Sequence, residues 1–287
     1  MTSNNKLVSS IVVLLLMVFS TSLQAQQNIK FGKVTFNNAI NVAGKQRMLT
    51  QKMSKAYLYL VSNPSDMKAK KDLLTSKILF ERQNSFLLEN SRNKLTTTNI
   101  QKVDQLFVEF KKALETTPGY ENAKKITDLN TDLLMASNQT VASIINNSKL
   151  VNSATDAEVL GDNVSIADRL ELQTIINVAG RQRMLSQRLA LYYYANTIAV
   201  NDKNVTRILN NTYNELEGAL TKLMICQFNN PEIDEKIGLA LTKWDNVKTQ
   251  KEKLMNKTLK KEEVYKLSDA LTVVFNDITN LYEKVDL

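Results

Sequence analysis

The chain writes one fourteen-residue stretch twice. Ile40–Met53 reads INVAGKQRMLTQKM and Ile176–Leu189 reads INVAGRQRMLSQRL, with ten identities at an offset of 136 residues. The other four positions exchange like for like: Lys/Arg, Thr/Ser, Lys/Arg and Met/Leu. Chance likeness of two helices does not produce such a match, so the 287 residues are a tandem duplication. Whatever one half folds into, the other must fold into as well.

That unit reads as helical. Seven Gly and three Pro punctuate the whole chain, and apolar residues recur at three- and four-residue steps. The pattern predicts helices near 28–62, 66–93, 99–116 and 120–150, broken at SNPSD (Ser62–Asp66), LTTTN (Leu95–Asn99) and TTPGY (Thr116–Tyr120). It predicts a second set near 155–200, 203–227, 231–256 and 260–285, broken at VNDKN, FNNPE and NKTLK. Four helices joined by short connections, twice over, give an all-α chain of two tandem antiparallel four-helix bundles, at 26–151 and 152–287. No Pro/Gly linker separates them, so the last helix of the first copy is expected to run almost directly into the second.

Residues 1–25 are read apart from the fold. Lys6 supplies a positive start, Ile11–Phe19 (IVVLLLMVF) a short apolar run, and Ala25 a small residue for cleavage. The run falls short of the ~20 residues that a spanning helix needs, so a removable secretory signal peptide is expected. The mature protein is then periplasmic or secreted.

Composition excludes much chemistry. Histidine is absent and Cys226 is the one cysteine, which removes the usual general base, thiolate clusters and intramolecular disulfides. No Asp/Glu cluster stands at ligand spacing, so neither metal, cofactor nor catalysis is expected. The net charge of +8 is localised. Asn37–Ser65 holds Lys45, Arg47, Lys52 and Lys55 with no acid, and Leu172–Asn201 holds Arg181, Arg183 and Arg188 with no acid. Those seven and Lys6 account for the whole excess. A nucleic-acid binder spreads its basic footprint along a face or groove; two short positive windows suit a small anion better.

On a helical wheel with Gly44 at zero, Val42, Leu49, Met53, Ala56 and Leu60 fall between roughly 120° and 180°, a stripe for the bundle's own core. Ile40, Arg47, Met48, Gln51 and Lys55 fall within about 60° of Gly44, on the opposite side. The second copy repeats this, with Val178, Leu185, Leu189 and Tyr192 inward and Ile176, Gly180, Arg183, Met184, Gln187 and Tyr194 outward. A mid-helix glycine costs about 1 kcal/mol relative to alanine, and the chain accepts that cost twice. Away from a core, a missing Cβ serves close approach by a backbone or a ligand. If the two repeated helices pack together, in one chain or between chains, both glycines and both arginines meet. Paired guanidiniums repel unless an anion lies between them, and their fork of donors matches flat oxyanions. Gln46, Gln182, Gln51 and Gln187 are candidate donors to that anion, while Lys45, Arg181, Lys52 and Arg188 lie on the flanks.

INVAGKQRMLTQKMSKAYL (Ile40–Leu58) and INVAGRQRMLSQRLALYY (Ile176–Tyr193) resemble the signature helix of the PilJ-type domain. That is the N-terminal sensor domain of type IV pilus methyl-accepting chemotaxis transducers, similar to the sensor domains of the NarX and NarQ nitrate/nitrite kinases. The resemblance implies a helical sensor bundle binding its ligand between two first helices, with the motif arginine gripping the oxyanion. Carried over, that arginine is Arg47 and Arg183, the motif glycine Gly44 and Gly180, and the following methionine Met48 and Met184. Lys45–Gln46 and Arg181–Gln182 are more polar than the nitrate-sensor pattern, which bears on ligand identity. The expectation is an exported sensory protein that takes nitrate or nitrite and relays occupancy to a separate membrane or periplasmic signalling partner, as a homodimer or an intrachain pseudo-dimer. The alternative is a module that docks a pilus or chemosensory protein through the basic Gly/Arg face, with no small ligand.

Overall fold

The computed structural model describes residues 30–154, 166–198, 200 and 204–287. The expected signal peptide and the junction between the repeats lie outside the described residues. A two-residue antiparallel pair, β1 (Lys30–Phe31) and β2 (Val34–Thr35), precedes the first helix. The helices are α1 (Phe36–Ser62), α2 (Met67–Asn90), α3 (Lys94–Leu114) and α4 (Tyr120–Ala154) in the first repeat. In the second they are α5 (Ile166–Thr197), α6 (Val205–Met224), α7 (Pro231–Thr249), the short α8 (Lys251–Met255) and α9 (Lys261–Glu283).

Local sequence sets these ends. The side chains of Thr35, Asp66, Asn93 and Asn230 accept from the backbone N–H three residues on, satisfying a donor that a helix start leaves orphaned. Three expectations need correction here. Residues 30–35 of the stretch expected to be helical from 28 are not helical, because Gly32, at φ 63°, turns the chain into a hairpin against the end of α2. A Cβ on Gly32 would strike the Asn90 carbonyl, while Lys33 N–H donates to Asn90 Oδ1 at 2.9 Å. LTTTN is not a break either. Asn93 caps α3, the threonines lie within its first turns, and the break is Ser91–Asn93. The long helix expected over 231–256 divides at Gln250 into α7 and α8.

Within the first repeat α1 packs on α2 and α4, and α3 on α2 and α4; in the second, α5 packs on α6 and α9, and α7 on the same two. Each repeat is therefore an antiparallel four-helix ring. The most extensive helix–helix contact in the molecule joins α1 to α5, the two helices that carry the repeated motif. They form a seam, and one continuous hydrophobic core runs through both rings.

Candidate functional site

At the seam the face that the helical wheel places opposite the core is buried. Ile40, Gly44, Arg47, Gln51 and Lys55 of α1 are covered, as are Ile176, Gly180, Arg183 and Gln187 of α5. Tyr194, expected outward, is fully buried against Tyr59, and its hydroxyl donates to the Lys261 carbonyl at 2.7 Å. The reason is the same throughout: the outward face of one repeat is the inward face of the pair. A single helix read alone shows one core stripe, whereas α1 and α5 each serve two packing surfaces.

Both arginines end at the same point. A Cβ on Gly44 would lie 3.2 Å from Arg183 Nη2 and 3.3 Å from Arg47 Nη2; one on Gly180 would lie 2.9 Å from Arg183 Nη2. The glycines thus clear the volume that the guanidiniums occupy. Arg47 is 3% exposed and Arg183 0%. Their hydrogen bonds follow a pseudo-two-fold pattern. Arg47 donates to Asn177 Oδ1 across the seam at 2.8 Å and to Asn138 Oδ1 on α4 of its own repeat at 3.3 Å. Arg183 donates to Asn41 Oδ1 across the seam at 2.8 Å and to Asn276 Oδ1 on its own α9 at 3.1 Å. It also reaches the Asn41 carbonyl at 3.3 Å.

Neutral amide oxygens are the side-chain acceptors of both cations. Among the described residues no carboxylate bonds either guanidinium. Glu283 is the acid that Arg183 feels, but its oxygens accept from Asn38, at 2.7 Å, and from Asn41. Arg47 Nε is buried with no partner. Burial, and then the charge of Arg47 beside it, pulls Arg183 down to about 9; burial, and then Arg181, pulls Arg47 to about 9. Both stay charged at neutral pH. Two unit charges 4 Å apart at an effective dielectric of 20 interact by about 4 kcal/mol, so an uncompensated buried pair of cations is a costly arrangement.

The other sequence-stated candidates are placed differently. The Gln51 amide exchanges hydrogen bonds with Asn130 on α4, at 2.9 and 3.4 Å. Gln187 donates to Thr272 Oγ1 on α9 at 2.7 Å and to Asp269 Oδ1 at 3.2 Å. Gln46 donates to Asn84 Oδ1 on α2 at 3.1 Å, and Gln182 to the Val178 carbonyl at 3.2 Å. These amides are engaged away from the arginine pair. Met184 is buried in the core, and Met48 is half-buried beside Lys52. Arg181 pairs with Glu215 at 2.7 Å, and Arg188 lies over the Tyr192 ring. The docking alternative relied on an accessible Gly/Arg face; here the other repeat covers that face.

Four residues went unnoticed in the sequence. Asn41 and Asn177 stand at the same place in both repeats, six before the arginine, and that identity was the available signal. Asn138 and Asn276 gave none, because the fourth helices share only a helical pattern.

No group of three or more His, Cys, Asp or Glu is placed to hold an ion among the described residues. No helix of the described residues is long and apolar enough to cross a membrane. Comparison with curated proteins and with solved structures returns no match. A family profile does match, described as the type IV pili methyl-accepting chemotaxis transducer N-terminal domain, over residues 36–131 and 170–270. These segments take in one copy of the Gly/Arg helix each and together cover well over half of the chain. The repeated motif, the paired rings and the matched segments agree, and the chain belongs to the PilJ family of transducer sensory domains.

Proposed function

We propose that this is an exported sensory protein that takes a small oxyanion, nitrate or nitrite, between Arg47 and Arg183. One observation carries the reading: two buried guanidiniums converge on Gly44, bonded to neutral amides and, among the described residues, to no carboxylate. In this arrangement the Asn41 and Asn177 oxygens stand in for a missing negative charge. A flat anion offers ionised oxygens to the same donors, and charge-assisted hydrogen bonds are about twice as strong as neutral ones. Exchanging amide for anion loosens the cross-seam asparagines and draws the two cations inward, which shifts α1 against α5. That shift is the signal, and a separate pilus or chemosensory protein in the cell envelope reads it.

Calorimetric titration with nitrate and nitrite, beside sulfate and phosphate, tests the reading in the wild type and in Arg183→Ala. Saturable heat with nitrate or nitrite that the substitution abolishes is the expected result. Equal response to all four anions, or affinity unchanged in the variant, overturns it.

A further inference from the structure

The repeats share one design, so each is a control for the other. Buried positions of α2 and α6 coincide at the 136-residue offset of the motif: Ala69 with Val205, Ser76 with Thr212, Phe80 with Leu216 and Leu87 with Leu223. Both helices therefore turn the same face to solvent. On α6 that face carries Asn210, Asn214 and Glu215; on α2 the matching residues are Leu74, Ile78 and Leu79, exposed by 55%, 41% and 43%. Single exposed apolar residues are ordinary, but the fold does not ask for these, since the second repeat builds the same helix without them.

Where the repeats differ inside, the partner is within the chain. Lys55 stands where the other repeat has Leu191, and its buried ammonium meets Asp269 at 2.7 Å. The difference on α2 lies outside, and no described part of the chain covers Leu74 or Ile78. These exposed residues also keep a register. Met67, Lys71, Leu74, Ile78, Glu81 and Ser85 follow one another at alternating steps of four and three, the spacing of a two-helix seam.

We propose that this face docks a second copy of the chain, α2 against α2, antiparallel about a two-fold axis midway between Leu74 and Ile78. Leu74 of each copy packs on Ile78 of the other, Lys71 of each meets Glu81 of the other, and Met67 of each covers Ser85 of the other. Every contact is made twice, as a two-fold interface requires. Charge selects this pairing. A slip of one heptad sets Glu81 or Lys71 against an apolar side chain, and a parallel pairing sets Lys71 on Lys71 and Glu81 on Glu81.

The charges around the stripe allow it. Lys71 is exposed and forms no ion pair among the described residues, while half-exposed Glu81 has Lys111 beside it at 2.6 Å. The flanking cations Lys68 and Lys77 are neutralised by their own chain, through Asp72 and Asp269 and through Glu115. Lys70 and Arg82 fall on opposite edges of the stripe and do not meet in the antiparallel pair. The overlap from Met67 to Ser85 is about 27 Å of helix. It joins first repeat to first repeat and does not rest on the oxyanion reading.

Sedimentation equilibrium of the purified protein, over a concentration series that spans the micromolar range, provides the test. One variant combines Leu74→Asn with Ile78→Asn, which copies Asn210 and Asn214 of the second repeat and so suits the fold. Another is Lys71→Glu, alone and together with Glu81→Lys. Expected are a reversible dimer with a micromolar dissociation constant, at least about tenfold weaker association in the asparagine variant, and weaker association in Lys71→Glu that Glu81→Lys restores. Cooperative melting of each variant shows that it is folded. A monomer at every concentration overturns the proposal and leaves the face to a different protein. A dimer untouched by the asparagine variant, or a charge swap weaker than Lys71→Glu alone, overturns it as well.

Discussion

Arg183 and Asn41 belong to opposite repeats, yet a 2.8 Å hydrogen bond joins them, and Arg47 and Asn177 repeat the bond in the opposite sense at the same length. Each cation is held across the seam by the other repeat. Ligand-free stability and the proposed anion recognition therefore draw on the same four side chains.

Replacing one cation separates the two roles. Arg183→Met keeps much of the length and volume while removing a buried charge that no carboxylate bonds directly among the described residues and that Glu283 only partly offsets. The ligand-free melting temperature is expected to hold or to rise by a few degrees, since ~1 kcal/mol moves a protein of this size by about 2–4 °C. The upward shift that nitrate or nitrite gives the wild type is expected to vanish. Melting curves with and without anion read both, and a drop above 5 °C in the ligand-free variant (about 2 kcal/mol) contradicts the account.

The glycines differ in tolerance. At Gly180 a Cβ lies 2.9 Å from Arg183 Nη2, so the guanidinium must move; at Gly44 the nearest atoms are 3.2 and 3.3 Å away. Gly→Ala in a helix gains about 1 kcal/mol of propensity, and displacing Arg183 from its amide oxygens forfeits about 1.5–3 kcal/mol. Gly180→Ala is expected to lose about 1 kcal/mol net by chemical denaturation, with Gly44→Ala nearer to neutral. Anion affinity should fall further in Gly180→Ala.

Supplying an internal anion should satisfy the pair permanently. Asn177→Asp puts a carboxylate at 2.8 Å from Arg47 Nη2. The expected gain is about 1 kcal/mol in ligand-free stability, because the site is half-buried and the bond becomes charge-assisted. Nitrate affinity should fall at least about tenfold as the two anions compete. Tighter nitrate binding in this variant would contradict the proposed site.

Lys55 makes the protein sensitive to alkaline pH. Burial outweighs the attraction of Asp269 and lowers this ammonium from 10.5 to about 8. Between those values the unfolded chain binds more protons than the folded one, so this group makes stability rise with pH across the window. Lys55→Leu, which copies Leu191, should remove that rise. Asp269 behaves oppositely: burial resists its ionisation, but Lys55, together with Lys68 and Lys52, outweighs burial and holds it at about 2 against an ordinary 3.8. Its contribution is present above 3.8 and lost as pH falls towards 2, and the loss should shift to higher pH in Lys55→Leu. Denaturation midpoints from pH 2 to 10 check both signs.

Much of this was legible in the sequence. Helical punctuation placed all eight long helices, and the duplicated Gly44/Arg47 and Gly180/Arg183 pairs pointed to a shared seam before any coordinates. The wheel, however, only set everything opposite Leu49 and Leu185 on an outward face, because amphipathicity reveals one apolar stripe and does not register how deeply a second surface built from Gln, Arg and Lys is buried. Buried polar positions such as Gln51 and Lys55 read as exterior for that reason. LTTTN was misread because threonine disfavours helix interiors on average, yet the Asn93 cap and the buried Thr96 hold it there. Asn138 and Asn276 became visible only once the fourth helices were in place.

Lys55 faces Asp269 where Leu191 would be its mirror image. In a sensor assembled from two identical subunits every mutation arrives twice, so no such inequality can be inherited. Joining the halves in one polypeptide frees each wall to evolve by itself, and here a buried ammonium stands on one side where an apolar side chain stands on the other.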